Sequence, residues 1–203
     1  MDDSNRGRRI ERKKEETRKK IISVAMDLFR RQGFDQTTVD QIAEDVDISR
    51  MTIFNYFPAK EVIIREYVLR AIREAGPELV SMLEGLPDTR SRITTLFSTT
   101  MEWLEVNLGE DLLKKLITYN MGSLFEALKI QTHFTEILEQ IIRIGQESGE
   151  LRGDIPADEI SNHLDWISTS IIIVSQSFPE KSLTDLINRK LDLFLNGVIN
   201  KGD

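Results

Sequence analysis

Thr37-Thr38-Val39-Asp40-Gln41-Ile42-Ala43-Glu44, linked through Asp45-Val46-Asp47-Ile48 to Ser49-Arg50-Met51-Thr52-Ile53-Phe54-Asn55-Tyr56-Phe57-Pro58-Ala59-Lys60, decides the fold of this chain. Thr38 with Gln41 three positions later has the form of a capping box, in which each residue satisfies a backbone donor of the other at the start of a helix. The spacing predicts a helix over Val39 to Asp45 that buries Ile42, Ala43 and Val46. After a short turn, Ser49 is a second N-cap and starts a helix from Arg50 to Tyr56. Ile53 and Phe57 then point inward, and Arg50, Met51, Thr52 and Asn55 stand outside. Pro58 stops this helix and allows a fourth to begin near Ala59.

Working outward, Ile21, Ala25, Leu28 and Phe29 recur at helical spacing from Thr17 onward, and Gly33 stands where that helix should stop. Three short helices with a tight turn between the second and third describe a helix-turn-helix, which presents its third helix to the major groove of DNA. Residues 1–20 carry nine basic and five acidic side chains, with Ile10 the only aliphatic residue after Met1. A segment so poor in apolar groups predicts a basic flexible arm over residues 1–16.

The chain has 203 residues, 40% hydrophobic and 30% charged, with a net charge of −7 and no cysteine. This is enough for a sizeable core, and it excludes disulfides, thiolate metal sites and cysteine nucleophiles. Residues 1–70 carry 15 basic and 13 acidic side chains, and residues 71–203 carry 12 and 21, so positive charge is concentrated at the first end. The polar start is not a secretory signal, and the longest aliphatic run, Ile171 to Val174, cannot span a bilayer. The expected compartment is the cytoplasm, with no membrane partner.

Beyond residue 60 no period-two stretch or hairpin signal interrupts the helical spacing, so the expected fold is all-α. Gly76-Pro77 is predicted to end or kink the fourth helix, and breaks are predicted at Leu86-Pro87-Asp88 and Leu108-Gly109. Helices are expected around Glu110–Tyr119 and Leu124–Glu147, then over residues 157–177 and 183–199 after a loop at residues 149–156.

The run from Thr37 to Glu44 and that from Ile48 to Glu61, with Ala25-Met26-Asp27-Leu28-Phe29 and Gly33-Phe34, closely resemble the DNA-binding domain of the TetR family of bacterial transcriptional regulators. The resemblance spans residues 17–63, under a quarter of the chain. It implies that Arg50, Met51, Thr52 and Asn55 face base edges, and that Thr38, Tyr56 and Lys60 hold phosphates beside the Ser49 cap. The chemistry of these groups is suitable: Arg pairs with guanine, Asn with adenine, and hydroxyl and ammonium groups with phosphate oxygens. Three positions depart from the family pattern. Asp47 stands in place of a common Gly, Met51 in place of a frequent Gly, and Phe54 in place of a usual Tyr, which removes one phosphate-binding hydroxyl.

The larger remainder, residues 62–203, is expected to bind an effector and to dimerise. Leu183, Leu186, Ile187, Leu191, Phe194, Leu195 and Val198 form one apolar stripe on the last helix. In the helix before it, Ile160, Leu164, Ile167, Ile171 and Val174 form a row, Trp166 and Ile173 lie off it, and Ser161, Ser168 and Ser175 recur every seventh residue. Two covered faces fit a homodimer built through these last two helices, which the family resemblance also implies. Twofold symmetry predicts a palindromic operator on double-stranded DNA.

Phe97, Met101, Trp103, Tyr119, Met121, Phe125, Phe134 and Trp166 are candidates to line a pocket for an apolar or aromatic small-molecule effector, with Asn120, Gln131 and His133 as polar anchors. The same side chains would equally fill a core. The reading is a homodimeric, ligand-released repressor that needs no cofactor or metal. A helical enzyme is the rival, but no Ser/His/Asp set, phosphate loop or metal spacing is visible and no catalytic residue is assigned. A protein-binding adaptor would leave the exposed Arg50, Thr52, Asn55 and Lys60 unexplained.

Overall fold

Each capping and breaking signal acts on the backbone within a few residues of itself, and the computed structural model shows the result over residues 3–122, 133–175 and 180–198. Among these described residues there are eight helices and no strand. They are α1 (Asp3–Gln32), α2 (Val39–Val46), α3 (Arg50–Tyr56), α4 (Lys60–Glu84), α5 (Thr89–Gly122), α6 (His133–Glu147), α7 (Ala157–Ser175) and α8 (Leu183–Val198). The chain divides into two compact units, Met1–Val68 and Leu69–Asp203. The division lies inside α4, seven residues beyond the expected boundary at residue 61.

In the first unit α1 packs on α2, and α2 on α3. The core is made of Ile21, Ala25, Met26 and Phe29 from α1, Ile42, Ala43 and Val46 from α2, and Ile53 with Phe57 around α3. Phe29 and Phe34 meet at 4.9 Å between ring centroids. Between them Gly33 adopts φ 88°, a left-handed geometry that ends α1 where a side chain would be strained.

The flexible arm expected over residues 1–16 is not what the structure draws: from Asp3 onward these residues continue α1 as helix. They do so without a core. Arg, Lys and Glu are good helix formers, and Arg12–Glu16 (3.4 Å) and Lys14–Glu11 (3.5 Å) pair at helical spacing. The first turns propagate from an already anchored helix, which avoids the cost of nucleation.

In the second unit α5 packs against α8, α6 and α7, and α7 packs against both α6 and α8. Leu96, Phe97, Leu138, Ile142, Leu164, Ile187 and Leu191 are among its buried side chains. The fourth helix does not end at Gly76-Pro77: α4 continues through Pro77 to Glu84. Gly76 has another use. A Cβ there would lie 2.5 Å from Nε2 of His133, so the glycine makes room for the imidazole against α4.

The other predicted breaks are present: residues 85–88 separate α4 from α5, and Gly109 (φ 66°, ψ 178°) interrupts the helical backbone of α5. The start of α5 is capped by two carboxylates. Asp88 accepts the Ser91 amide at 2.7 Å and Glu150 accepts the Thr89 amide. Both are held below their ordinary values, chiefly by these backbone hydrogen bonds.

Of the helix predicted over Leu124–Glu147, α6 supplies His133–Glu147, and residues 124–132 lie outside the described residues. The stripe on α8 buries Leu183, Ile187, Leu191 and Leu195, with Leu186 and Phe194 half-buried, and the Val198 side chain lies outside the description. Ser161 and Ser168 are buried inside the unit itself, donating to the Asp158 and Asp165 carbonyls. Trp166 and Val174 on the same helix remain exposed.

Candidate nucleic-acid interface

The turn between α2 and α3 is built almost wholly from local hydrogen bonds. The Thr38 amide donates to Gln41 Oε1 at 2.8 Å and the Gln41 amide donates back to Thr38 Oγ1 at 3.2 Å, so the capping box is closed. At the far end of α2, Asp47 takes φ 63° and ψ 49°. Its amide reaches the Glu44 carbonyl at 3.0 Å and the Ile48 amide reaches the Ala43 carbonyl at 3.0 Å. Asp tolerates this left-handed geometry better than most residues, so the turn forms without glycine. Ser49 then accepts the Thr52 amide at 3.1 Å and starts α3.

α3 buries Ile53, and Phe57 is buried at its end. The opposite side carries Arg50, Met51, Phe54 and Asn55, all exposed, with Met51 at 69%. Thr52 is half-buried, with its hydroxyl 2.8 Å from that of Ser49. Arg50 is oriented from two sides: Nη1 donates to Asp40 Oδ2 at 2.8 Å, and the guanidinium lies 5.5 Å from the centre of the Phe54 ring. Thr38 is exposed at the start of α2, and Tyr56 is half-buried with its ring 6.5 Å from that of Phe57.

Two lysines brace this unit. Lys20 donates to the Val46 carbonyl at 2.7 Å. Lys60, expected on a phosphate, donates to the Phe34 and Thr37 carbonyls at 2.7 and 2.6 Å and lies over the Phe34 ring at 4.3 Å. Its ammonium satisfies acceptors in the loop after α1, which have no helical partner.

In the second unit a cavity of about 430 Å³ opens among α4, α5 and α6. Ile72, Ala75, Leu79 and Met82 of α4 face Leu96, Thr99, Thr100 and Trp103 of α5, and Phe134 and Ile137 of α6 complete an apolar lining in which Glu78 is the one ionisable side chain among the described residues.

Residues 21–67 match the family model for bacterial regulatory proteins of the tetR family. That segment contains the capped turn and the whole of α3. This segment is similar to the DNA-binding domain of the TetR family. The HTH-type transcriptional regulator YdeS of Bacillus subtilis is 28% identical over 183 residues, covering 85% of this chain and 87% of that one. The HTH-type transcriptional regulator LuxR of Vibrio harveyi is 23% identical over 190 residues, covering 87% of each. Among solved structures, the TetR-family repressor FadR of Thermus thermophilus, in complex with lauroyl-CoA, superposes with a TM-score of 0.76 at 25% identity, covering 92% of this chain and 97% of that one.

The residues expected at DNA are gathered on one unit, with Lys60 turned to the carbonyls described above. Among the described residues, the expected effector residues are not gathered in one place. Trp103 and Phe134 line the cavity. Phe97 and Met101 are core side chains, and Phe97 meets Phe134 edge-on at 5.1 Å. The reason is the helical period: Leu96, Thr99, Thr100 and Trp103 share one face of α5, and Phe97 and Met101 fall on the next. Tyr119 is half-buried away from the lining, and Trp166 is 44% exposed on α7. Met121 (side chain), Phe125, Asn120 (side chain) and Gln131 lie outside the description.

His133 bonds Glu136 at 3.0 Å and is not in the lining, and His163 bonds the Glu159 carbonyl at 2.9 Å. Sequence reasoning missed Asp40 and Lys20, whose partners are set by how α1, α2 and α3 pack. It also missed the small residues Ala71 and Ala75, whose missing volume makes the cavity. Among the described residues no helix is long and apolar enough to cross a membrane.

Proposed function

We propose that this regulator is a homodimeric repressor of the cytoplasm, which binds a palindromic operator and is released by an apolar small molecule. The observation that carries the reading is the outward side of α3, where a capped helix anchored on Ile53 presents Arg50, Met51 and Asn55 to solvent. Arg50 reads guanine, Asn55 adenine, and Met51 and the Thr52 methyl contact thymine methyl groups, while Thr38, Ser49 and Tyr56 hold phosphates. Dimerisation through α7 and α8 is supported by large apolar side chains left in solvent, Trp166, Val174 and, at 75% exposure, Leu193.

The effector enters the cavity among α4, α5 and α6. Its apolar lining favours a hydrocarbon body, in keeping with the lauroyl-CoA bound by the Thermus thermophilus protein. The residues of α4 that line the cavity begin at Ala71, and the same helix starts at Lys60 in the first unit. A ligand that displaces α4 therefore has a covalent route to the helix-turn-helix, and a coupling of about 1–3 kcal/mol weakens DNA binding by about 5- to 150-fold.

Selection of bound duplexes from a random library by the purified chain tests this. The expected product is an inverted repeat with half-sites about one helical turn apart, released by lauroyl-CoA or another long-chain probe. Recovery of no motif, or of a single unrepeated half-site, contradicts it.

A further inference from the structure

Residues 6–16 of α1 are exposed throughout, and nothing in their packing accounts for their charge. They carry six basic side chains against three acidic ones. Within the helix, Arg12 pairs with Glu16 and Lys14 with Glu11. Arg6, Arg9 and Lys13 form no ion pair among the described residues. Arg6, at the first turn of α1, also gains nothing from the helix dipole, which favours anions at that end. Among the described residues neither burial nor ion pairing explains this arrangement, and a polyanion does.

The stripe has a direction. At 3.6 residues per turn, Arg6, Arg9, Lys13 and Lys20 fall within roughly 60° of arc on one side of α1. Lys20 identifies that side, because its ammonium bonds the Val46 carbonyl at the α2–α3 turn. The stripe thus begins beside the turn that positions α3 and runs outward for about 20 Å along the exposed start of the helix.

We infer that the N-terminal part of α1 is a second DNA-binding element, in which Arg6, Arg9 and Lys13 bind phosphates of the duplex whose bases α3 reads. The inference rests on the DNA-binding reading above and adds contacts to it. Three phosphate contacts contribute to affinity for any sequence and steepen its salt dependence, but leave discrimination between sequences unchanged.

The test uses the full-length chain, a selected operator duplex and an unrelated duplex, with Kd measured across a range of salt concentrations. The triple change Arg6→Gln, Arg9→Gln, Lys13→Gln is compared with Lys114→Gln, Arg143→Gln, Arg152→Gln, which alters net charge equally at exposed positions of the second unit. The expected result is that the first triple lowers the slope of log K against log salt by about 2.7, or about 0.9 per contact. Both duplexes should lose affinity in parallel, Arg6→Lys with Arg9→Lys should retain the slope, and the control triple should leave it unchanged. An unchanged slope in the first triple, or an equal change in both, overturns the inference while selective operator binding persists. Failure of the unaltered chain to bind any duplex overturns the DNA-binding reading as well.

Discussion

Residues 1–68 and residues 69–203 handle their informative side chains in opposite ways. In the first unit the polar groups that matter stand outside and are fixed by bonds to the nearby backbone: Thr38 and Ser49 by their caps, and Arg50 by Asp40 and Phe54. In the second, the cavity is defined by what is small, with Ala71, Ala75 and the threonines of α5 leaving space between larger neighbours. A site that displays groups depends on local chemistry, and a site that encloses a ligand depends on packing between distant segments. The first therefore fails one residue at a time, and the second fails by volume.

The comparison is broken most severely by removing the core beneath the displayed face. Phe57→Ala should cost about 3–5 kcal/mol, seen as a lower melting temperature and loss of binding to every duplex. Arg50→Ala should leave the fold intact and lose about 1–3 kcal/mol of discrimination at one base pair of each half-site, read by competition between operator variants. Asp40→Asn should relax the same position by less, since it frees Arg50 without removing it.

On the enclosing side, Ala75→Leu fills the cavity. Operator affinity should persist, while the concentration of long-chain probe needed for release rises about tenfold, equivalent to about 1.4 kcal/mol. Ser49→Ala should cost about 1 kcal/mol of stability through the lost cap, with weaker binding in proportion.

The smallest expected effect is that of acid on the start of α5. Because Asp88 and Glu150 are held below their ordinary values of 3.8 and 4.5, the stability they add is present above that range and is lost as pH falls through their folded values. Urea melts between pH 5 and 3 should show this decline, and Asp88→Asn should flatten it.

The same contrast explains what could be read from the chain alone. The bounds of α3, the Thr38–Gln41 box and the exposure of Arg50 follow from residues within a few positions of one another, and so were legible. The helical state of residues 3–16 was not, because its support comes from continuity with an anchored helix and not from any apolar pattern. The role of Lys60 was also hidden: its partners at Phe34 and Thr37 lie more than 20 residues away and are backbone carbonyls. In the second unit, Phe97 and Trp103 are both large aromatic residues in one helix, yet one is core and the other lines the cavity. Only the rotation of α5 against α4 and α6 separates them.

Competition binding of the unaltered chain and of Arg50→Ala, each measured on a selected operator and on an unrelated duplex at one fixed salt concentration, tests the central claim most directly. If α3 reads bases, the unaltered chain prefers its operator strongly, and the substitution erodes that preference while affinity for the unrelated duplex changes little. Equal loss on both duplexes, or no preference to begin with, would contradict the account.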